Sequence, residues 1–195
     1  MRILVAASLA AALGSPCLGR TPDPPRCAGP EHRQFDFWVG DWDAYDVDAP
    51  DKPAARVKVD VILEGCALRE VYQGVNGLVG ESFNIYDASR KVWHQSWVTN
   101  RGQLLVLEGE FRDGRMTLRA TETTAEGPVL WRGVWIPTAE GIRETAQTSR
   151  DGGKTWKPLF DMMFRRHRAD ASEGNAGSAR TLRAGSSCLG RLSEA

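Results

Sequence analysis

Two tryptophans and a glutamine at alternate positions form the most distinctive candidate binding group of the sequence. Trp93, Gln95 and Trp97 share one face of a predicted strand, because side chains alternate between the faces of a β-strand. Two indoles supply flat apolar walls, and Gln95 offers both a donor and an acceptor to orient a polar group. Core packing around a hydrogen-bonded Gln95 is the alternative, and seven tryptophans in the chain favour the pocket.

A carboxylate on a neighbouring predicted strand is the second candidate. If Glu70 faces inward it needs a partner, because an isolated buried charge is costly. Arg143, Arg132 or Gln95 could supply that partner, and Asn84 is a further candidate contact for a ligand. The functional interpretation of Glu70 is a ligand anchor or a general acid/base. The sequence favours the structural one, an ion pair.

The residue types that commonly bind metals or cofactors show no recognisable spacing pattern in this sequence. His32, His94 and His167 lack metal-ligand spacing, and no phosphate loop, dinucleotide fingerprint or Gly-x-Ser-x-Gly is present. His94 is conceivable as a haem ligand, but a lone histidine on a strand is more often a hydrogen-bonded or exposed residue. The aspartates of residues 41–51 do not follow the spacing of a calcium-binding EF-hand. The sequence therefore predicts neither a metal nor a cofactor.

The elements that must position these side chains are short strands. Apolar residues alternate with polar ones, as in Arg56–Gly65, and turn signals such as Asp113-Gly114 recur every 8–12 residues. About ten strands joined by short turns form a meander, which must close or expose its edges. The sequence predicts an all-β fold, a closed antiparallel up-and-down barrel, with a two-sheet sandwich as the alternative. Such a barrel is wider than the eight-stranded kind that side chains just fill, so a cavity is expected.

The start of the first strand predicts how one end of the barrel is closed. Gly40-x-Trp42 resembles the signature that opens lipocalin-type barrels, in which the tryptophan plugs one end beneath an arginine of the last strand. Arg165 and Arg166 are both candidates for that arginine. Arg166 is favoured because it shares a strand face with Phe164.

Five segments spread along the chain carry a wider resemblance. They are Phe35–Trp42 (FDFWVGDW), Gly65–Glu70 (GCALRE), Ser82–Asp87 (SFNIYD), Trp93–Val98 (WHQSWV) and Ser149–Trp156 (SRDGGKTW). Together they resemble a large family of exported bacterial proteins that is known as a domain of unknown function. The resemblance covers about residues 27–166 and implies a calycin-like barrel, but it implies no activity. The chain departs from the family's pattern in its long Arg-rich tail.

The N-terminus has the features of a secretory signal. Arg2 precedes an apolar run, Ile3–Leu13, that is interrupted only by Ser8, is followed by small residues and is too short to span a bilayer. We expect residues 1–19 to be a signal peptide, 20–30 a linker, 31–166 the barrel and 167–195 a disordered tail. The protein is then periplasmic or secreted. A lipoprotein anchor at Cys17 is the lesser alternative, and no other segment could span a membrane.

Export makes disulfides permissible, and two of the four cysteines are candidates for one. Cys17 lies in the signal region and Cys188 in the tail, which leaves Cys27 and Cys66 as the plausible pair.

Charge and composition argue against one class of function and leave three others open. Residues 28–164 contain 16 basic and 21 acidic side chains, and a domain without a basic face argues against nucleic acid binding. Three classes stay open, in this order: a carrier or sensor for a small apolar ligand, an enzyme using Glu70 with Gln95 or His94, and a filled structural barrel. The sequence specifies neither the ligand nor the oligomeric state.

Overall fold

A computed structural model describes residues 27–168 of the chain. The predicted signal peptide, most of the predicted linker, Cys17, Cys188 and nearly all of the predicted tail lie outside the described residues. No helix in the part that is described is long and apolar enough to cross a membrane.

Ten antiparallel strands form one closed barrel, which confirms the predicted fold class and excludes the two-sheet sandwich. Each strand pairs with its neighbours in the chain, and β1 pairs with β10 to close the sheet. The architecture is consistent with a lipocalin-like barrel. The strands are β1 (Gly40–Asp46), β2 (Pro53–Ile62), β3 (Ala67–Gly74), β4 (Val79–Asp87), β5 (Val92–Thr99), β6 (Leu104–Arg112), β7 (Arg115–Thr124), β8 (Gly127–Pro137), β9 (Ile142–Ser149) and β10 (Lys157–Arg166).

Side chains alternate between the two faces of each strand, and those that face the barrel interior are mostly apolar. In β2, Ala55, Val57 and Val59 are buried, whereas Lys58 between them is exposed. Burial of one face per strand is the main source of stability in such a fold, because it removes apolar surface from water. Closure leaves no unpaired sheet edge.

One end of the barrel is closed by the chain segment that precedes β1. This segment contains two short 3₁₀ helices, Pro30–Arg33 and Asp36–Trp38, and it inserts Phe35 and Trp38 into the interior. The Phe35 ring stacks on Trp38 with centroids 4.9 Å apart, and it meets Trp93 edge-on at 5.6 Å. We call this aromatic layer the floor of the barrel, and define it as Phe35, Trp38, Trp42, Trp93 and Trp135.

An arginine covers the floor from outside, at the position that the Gly40-x-Trp42 signature indicates. The guanidinium of Arg166 lies 3.8 Å from the ring centroid of Trp42, and the two residues are register partners in β10 and β1. Gly40 has a φ of 152°, and a Cβ atom there would lie 1.7 Å from Nη1 of Arg166. Glycine is therefore required at this position for the arginine to reach the indole.

A disulfide joins Cys27 to Cys66, the pair predicted from the sequence, with Cα atoms 5.1 Å apart. Cys66 follows the 3₁₀ helix Leu63–Gly65 at the closed end, so the bond ties the floor-forming segment to the turn between β2 and β3. The loop that it closes spans 39 residues, which corresponds to roughly 4 kcal/mol in the chain-entropy model.

Candidate ligand-binding site

The barrel interior is not packed solid. A cavity of about 380 Å³ lies above the floor and opens at the opposite end, where β1 ends and β2, β6 and β10 begin. This volume falls in the lower part of the range of roughly 300–1,000 Å³ that is typical of small-molecule pockets. Most lining side chains are apolar, and the polar ones that matter below are Glu70, Tyr72, Gln95 and Glu144.

A tryptophan from the predicted group forms one wall of this cavity. The indole of Trp97 lies across Gly80 of the neighbouring strand, where a Cβ atom would approach the ring to 2.3 Å. Tyr72 meets the same indole edge-on, with ring centroids 6.0 Å apart. Gly80 is therefore the residue that allows this indole to lie flat against the barrel wall.

Four polar side chains beneath Trp97 form one chain of hydrogen bonds. Gln95 Nε2 donates to Asn84 Oδ1 at 2.9 Å, and Asn84 Nδ2 donates to Ser82 Oγ at 2.9 Å. Ser82 Oγ then donates to Glu70 Oε2 at 2.7 Å. All four residues are buried, and every donor in the chain is directed towards Glu70. Glu70 Oε1 accepts no hydrogen bond from a described residue, which leaves it available to a ligand.

The environment of Glu70 favours its neutral form. Burial raises the pKa of this carboxyl to about 7, and the hydrogen bond from Ser82 offsets only part of that effect. The ion pair expected from the sequence is not formed. Arg143 instead donates to Asp161 at 2.8 Å, and Arg132 donates to Gln147. The physical reason is that both arginines lie on the outer face of their strands, opposite to the face that lines the cavity.

A second carboxyl, half-buried and not identified from the sequence, lies on another wall. Glu144 of β9 lines the same cavity, and its pKa is raised well above the ordinary value by burial and by the proximity of Glu70. The indole of Trp135 partly offsets this effect, although its Nε1 makes no hydrogen bond of regular geometry with any described residue. The signal in the sequence was the alternation of Ile142, Glu144 and Ala146, which puts Glu144 on the apolar face of its strand.

The structure separates the predicted site residues into two groups. Glu70, Gln95 and Trp97 line the cavity, and Asn84 supports them through hydrogen bonds. Trp93 is placed differently from the expectation. It belongs to the floor, where its Nε1 donates to Gln34 Oε1 at 3.1 Å, because the segment before β1 folds back into the barrel and covers it.

The remaining titratable candidates lie elsewhere. His94 is on the outer face of β5, where its ring nitrogens contact Glu108 at 3.1 Å and Ser96 at 2.9 Å, so it cannot serve chemistry in the cavity. Within residues 27–168, no three His, Cys, Asp or Glu side chains are grouped in a way that could hold a metal ion. Among the described residues, the ionisable groups that can act on a bound molecule in the cavity are the two carboxyls of raised pKa, Glu70 and Glu144.

Comparisons with known proteins give no indication of what the cavity binds. No protein-family model matches the chain. A comparison with curated proteins likewise gives no significant match.

Proposed function

We propose that this protein binds a small, largely apolar molecule in the barrel cavity and releases it without altering it. The observation that supports this function best is an open cavity of about 380 Å³ that has apolar walls and a connected polar group on one side. A few convergent polar atoms in an apolar cavity are typical of specific small-molecule sites. The hydrogen-bond chain that ends at Glu70 fixes where the polar part of a ligand would lie.

We further propose that the protein acts outside the cytoplasm and belongs to the exported family that its five segments resemble. The disulfide between Cys27 and Cys66 supports export, because such bonds persist mainly in oxidising compartments. A carrier in such a compartment would present its open end directly to ligands in the surrounding fluid.

The test of the carrier function uses the tryptophan of the cavity wall. Saturable quenching of tryptophan fluorescence by small aromatic or acyl compounds is expected, and Trp97→Ala should weaken that binding. Trp156→Ala is the matched control, since Trp156 lies on the outer surface against Arg132. Native mass spectrometry of protein purified from the cells that make it should show an added mass. If no compound quenches and no mass is retained, the proposal fails.

A second function has one specific observation in its favour. A buried carboxyl whose pKa is raised to about 7 is suited to general acid/base catalysis near neutral pH. Under this alternative, Glu70 exchanges a proton with a substrate that the Trp97 wall orients. A rate that depends on pH through a group near 7 and is lost in Glu70→Gln would favour the enzyme over the carrier.

A further inference from the structure

The charged groups that face the cavity are acidic. Glu70 and Glu144 project from β3 and β9, which three other strands separate on the shorter path around the barrel, and Asp46 lies at the mouth. No Lys or His among the described residues lines the cavity. The one arginine of the lining, Arg132, turns its guanidinium to the outer surface, where it stacks on Trp156 at 4.3 Å. An anionic ligand would find no counter-charge inside.

The aromatic walls have the same preference for positive charge. Trp97, Trp131 and Trp135 all line the cavity, and indole faces are the best aromatic partners for a cation. Trp131 Nε1 donates to Glu122 Oε2 at 3.0 Å, so that carboxylate near the mouth is already held by a neutral donor. Glu70 Oε1 has no such donor among the described residues, and it faces the cavity from a side chain that is only 6% exposed.

We propose that the ligand of this cavity is a lipophilic amine, whose ammonium group lies between Glu70 and Glu144, and that its binding releases a proton to the solvent. This inference rests on the proposed binding function and names the class of ligand for that same site. The apolar body of the amine would contact the indoles, while its N–H groups would donate to carboxylate oxygens.

Proton release follows from the state of the empty cavity. Burial raises the pKa of both carboxyls, and the charge of Glu70 raises that of Glu144 further, so both retain protons at a higher pH than an exposed carboxyl would. An ammonium between them reverses both effects. The carboxyl O–H bond breaks, its proton leaves to the buffer, and the carboxylate accepts an N–H bond from the ligand.

The other groups around this pair do not compensate its charge. Burial and the two carboxyls raise the pKa of Tyr72, which keeps its phenol neutral. The lining residues of β2, β5, β6 and β10 are uncharged, and β1 contributes only Asp46 at the mouth. Binding of the amine should therefore strengthen as pH rises, by about tenfold per pH unit below pH 7.

Three probes with one apolar body and different head groups test the inference. They are 4-phenylbutylamine, 4-phenylbutanol and 4-phenylbutyrate, titrated into the full-length mature protein by calorimetry at pH 7. Repeating each titration in two buffers with different heats of ionisation counts the protons released. We expect the amine to bind about tenfold or more tightly than the alcohol. Roughly half to one proton should leave per amine bound, and none per alcohol.

Charge-neutral variants identify the groups responsible. In the double variant Glu70→Gln and Glu144→Gln, the amine should lose its advantage over the alcohol and its proton release, while the alcohol still binds. Persistent alcohol binding shows that the barrel is folded and the cavity is present. Glu81→Gln is the matched control, because this glutamate lies on the outer face and pairs with Arg69 at 2.9 Å. It should behave as the wild type.

The outcomes distinguish failure of this inference alone from failure of the function on which it rests. If the amine and the alcohol bind equally without proton release, the inference is overturned and the binding function stands. Tightest binding by the carboxylate overturns the inference in the same way. If none of the three probes binds, the proposed function and this inference fail together.

Discussion

Replacing the buried acid Glu70 by its neutral isostere, glutamine, should make the protein more stable at neutral and alkaline pH. At pH 5 the replacement should have little effect. In Glu70→Gln the side-chain amide oxygen can still accept the hydrogen bond from Ser82, so the packing of the cavity wall is retained. The variant removes the ionisable group without removing its partner. A pH-dependent difference in stability between the two proteins then reports the titration of Glu70 and its effect on Glu144.

The magnitude follows from the pKa of this carboxyl in the folded protein. Its ordinary value is 4.5, and burial raises it to about 7. Between these values the folded protein keeps a proton that the unfolded chain has already lost, so each rise in pH favours unfolding. At roughly 1.4 kcal/mol per pH unit, Glu70 costs the wild type roughly 3 kcal/mol of unfolding free energy across this window, and the variant lacks this contribution.

Urea unfolding followed by tryptophan fluorescence at pH 5, 6, 7 and 8 measures this difference. At pH 5 the two proteins should be nearly equal, and at pH 8 the variant should be more stable by up to roughly 3 kcal/mol. Glu144 is present in both proteins, but Glu70 raises its pKa in part, so the difference also includes the response of Glu144 to the loss of the neighbouring charge. Glu81→Gln is the control, since its pairing with Arg69 lowers the pKa of Glu81 and leaves no transition in this range. An equal gap between the proteins at every pH would refute the reasoning.

Three further changes test other parts of the structure. Gly80→Val places side-chain atoms where the indole of Trp97 lies, so it should displace that ring, shift its fluorescence and destabilise the fold by roughly 1–3 kcal/mol; unchanged emission would contradict the wall geometry. The double variant Cys27→Ser and Cys66→Ser should lower the free energy of unfolding by roughly 3–4 kcal/mol in urea titrations, and equal thiol labelling of native and reduced wild type would show that the bond is absent. Arg166→Met keeps the length of the side chain but removes its charge from the outer side of the floor, and thermal unfolding should reveal a loss of roughly 0.5–2 kcal/mol; no loss would mean that the stacked guanidinium contributes nothing.

Strand alternation was sufficient to predict the closed barrel, because the chain runs as a meander of about ten strands joined by short turns. It did not determine which face of β5 lies inside. The outer face of this sheet region also carries apolar side chains, Phe83 and Val98 among them, which are 47% and 43% exposed. Because both faces of β5 carry apolar side chains, the residue pattern alone does not show whether Trp97 points into the barrel or away from it.

The details of the site depended on contacts between distant parts of the chain. Trp93 became part of the floor because Phe35, far away in sequence, packs against it. The approach of Glu144 to Glu70 requires β10 to close on β1, and no local pattern encodes the distance between opposite walls. Composition could show that a buried carboxyl needs a partner, but not that its neighbour would be a second acid.

Because the floor and the mouth lie at opposite ends of the barrel, the two ends should tolerate substitutions to different degrees. The segment before β1, the disulfide and the stacked arginine all lie at the closed end, where substitutions would cost stability. The loops between β1 and β2 and between β9 and β10 border the mouth, and no floor residue belongs to them. Under the proposed binding function, mutations in these loops can change which molecules bind while the folded state is left largely intact. Duplicated genes of such a protein could therefore diverge in specificity through rim substitutions alone, with the same barrel retained in every descendant.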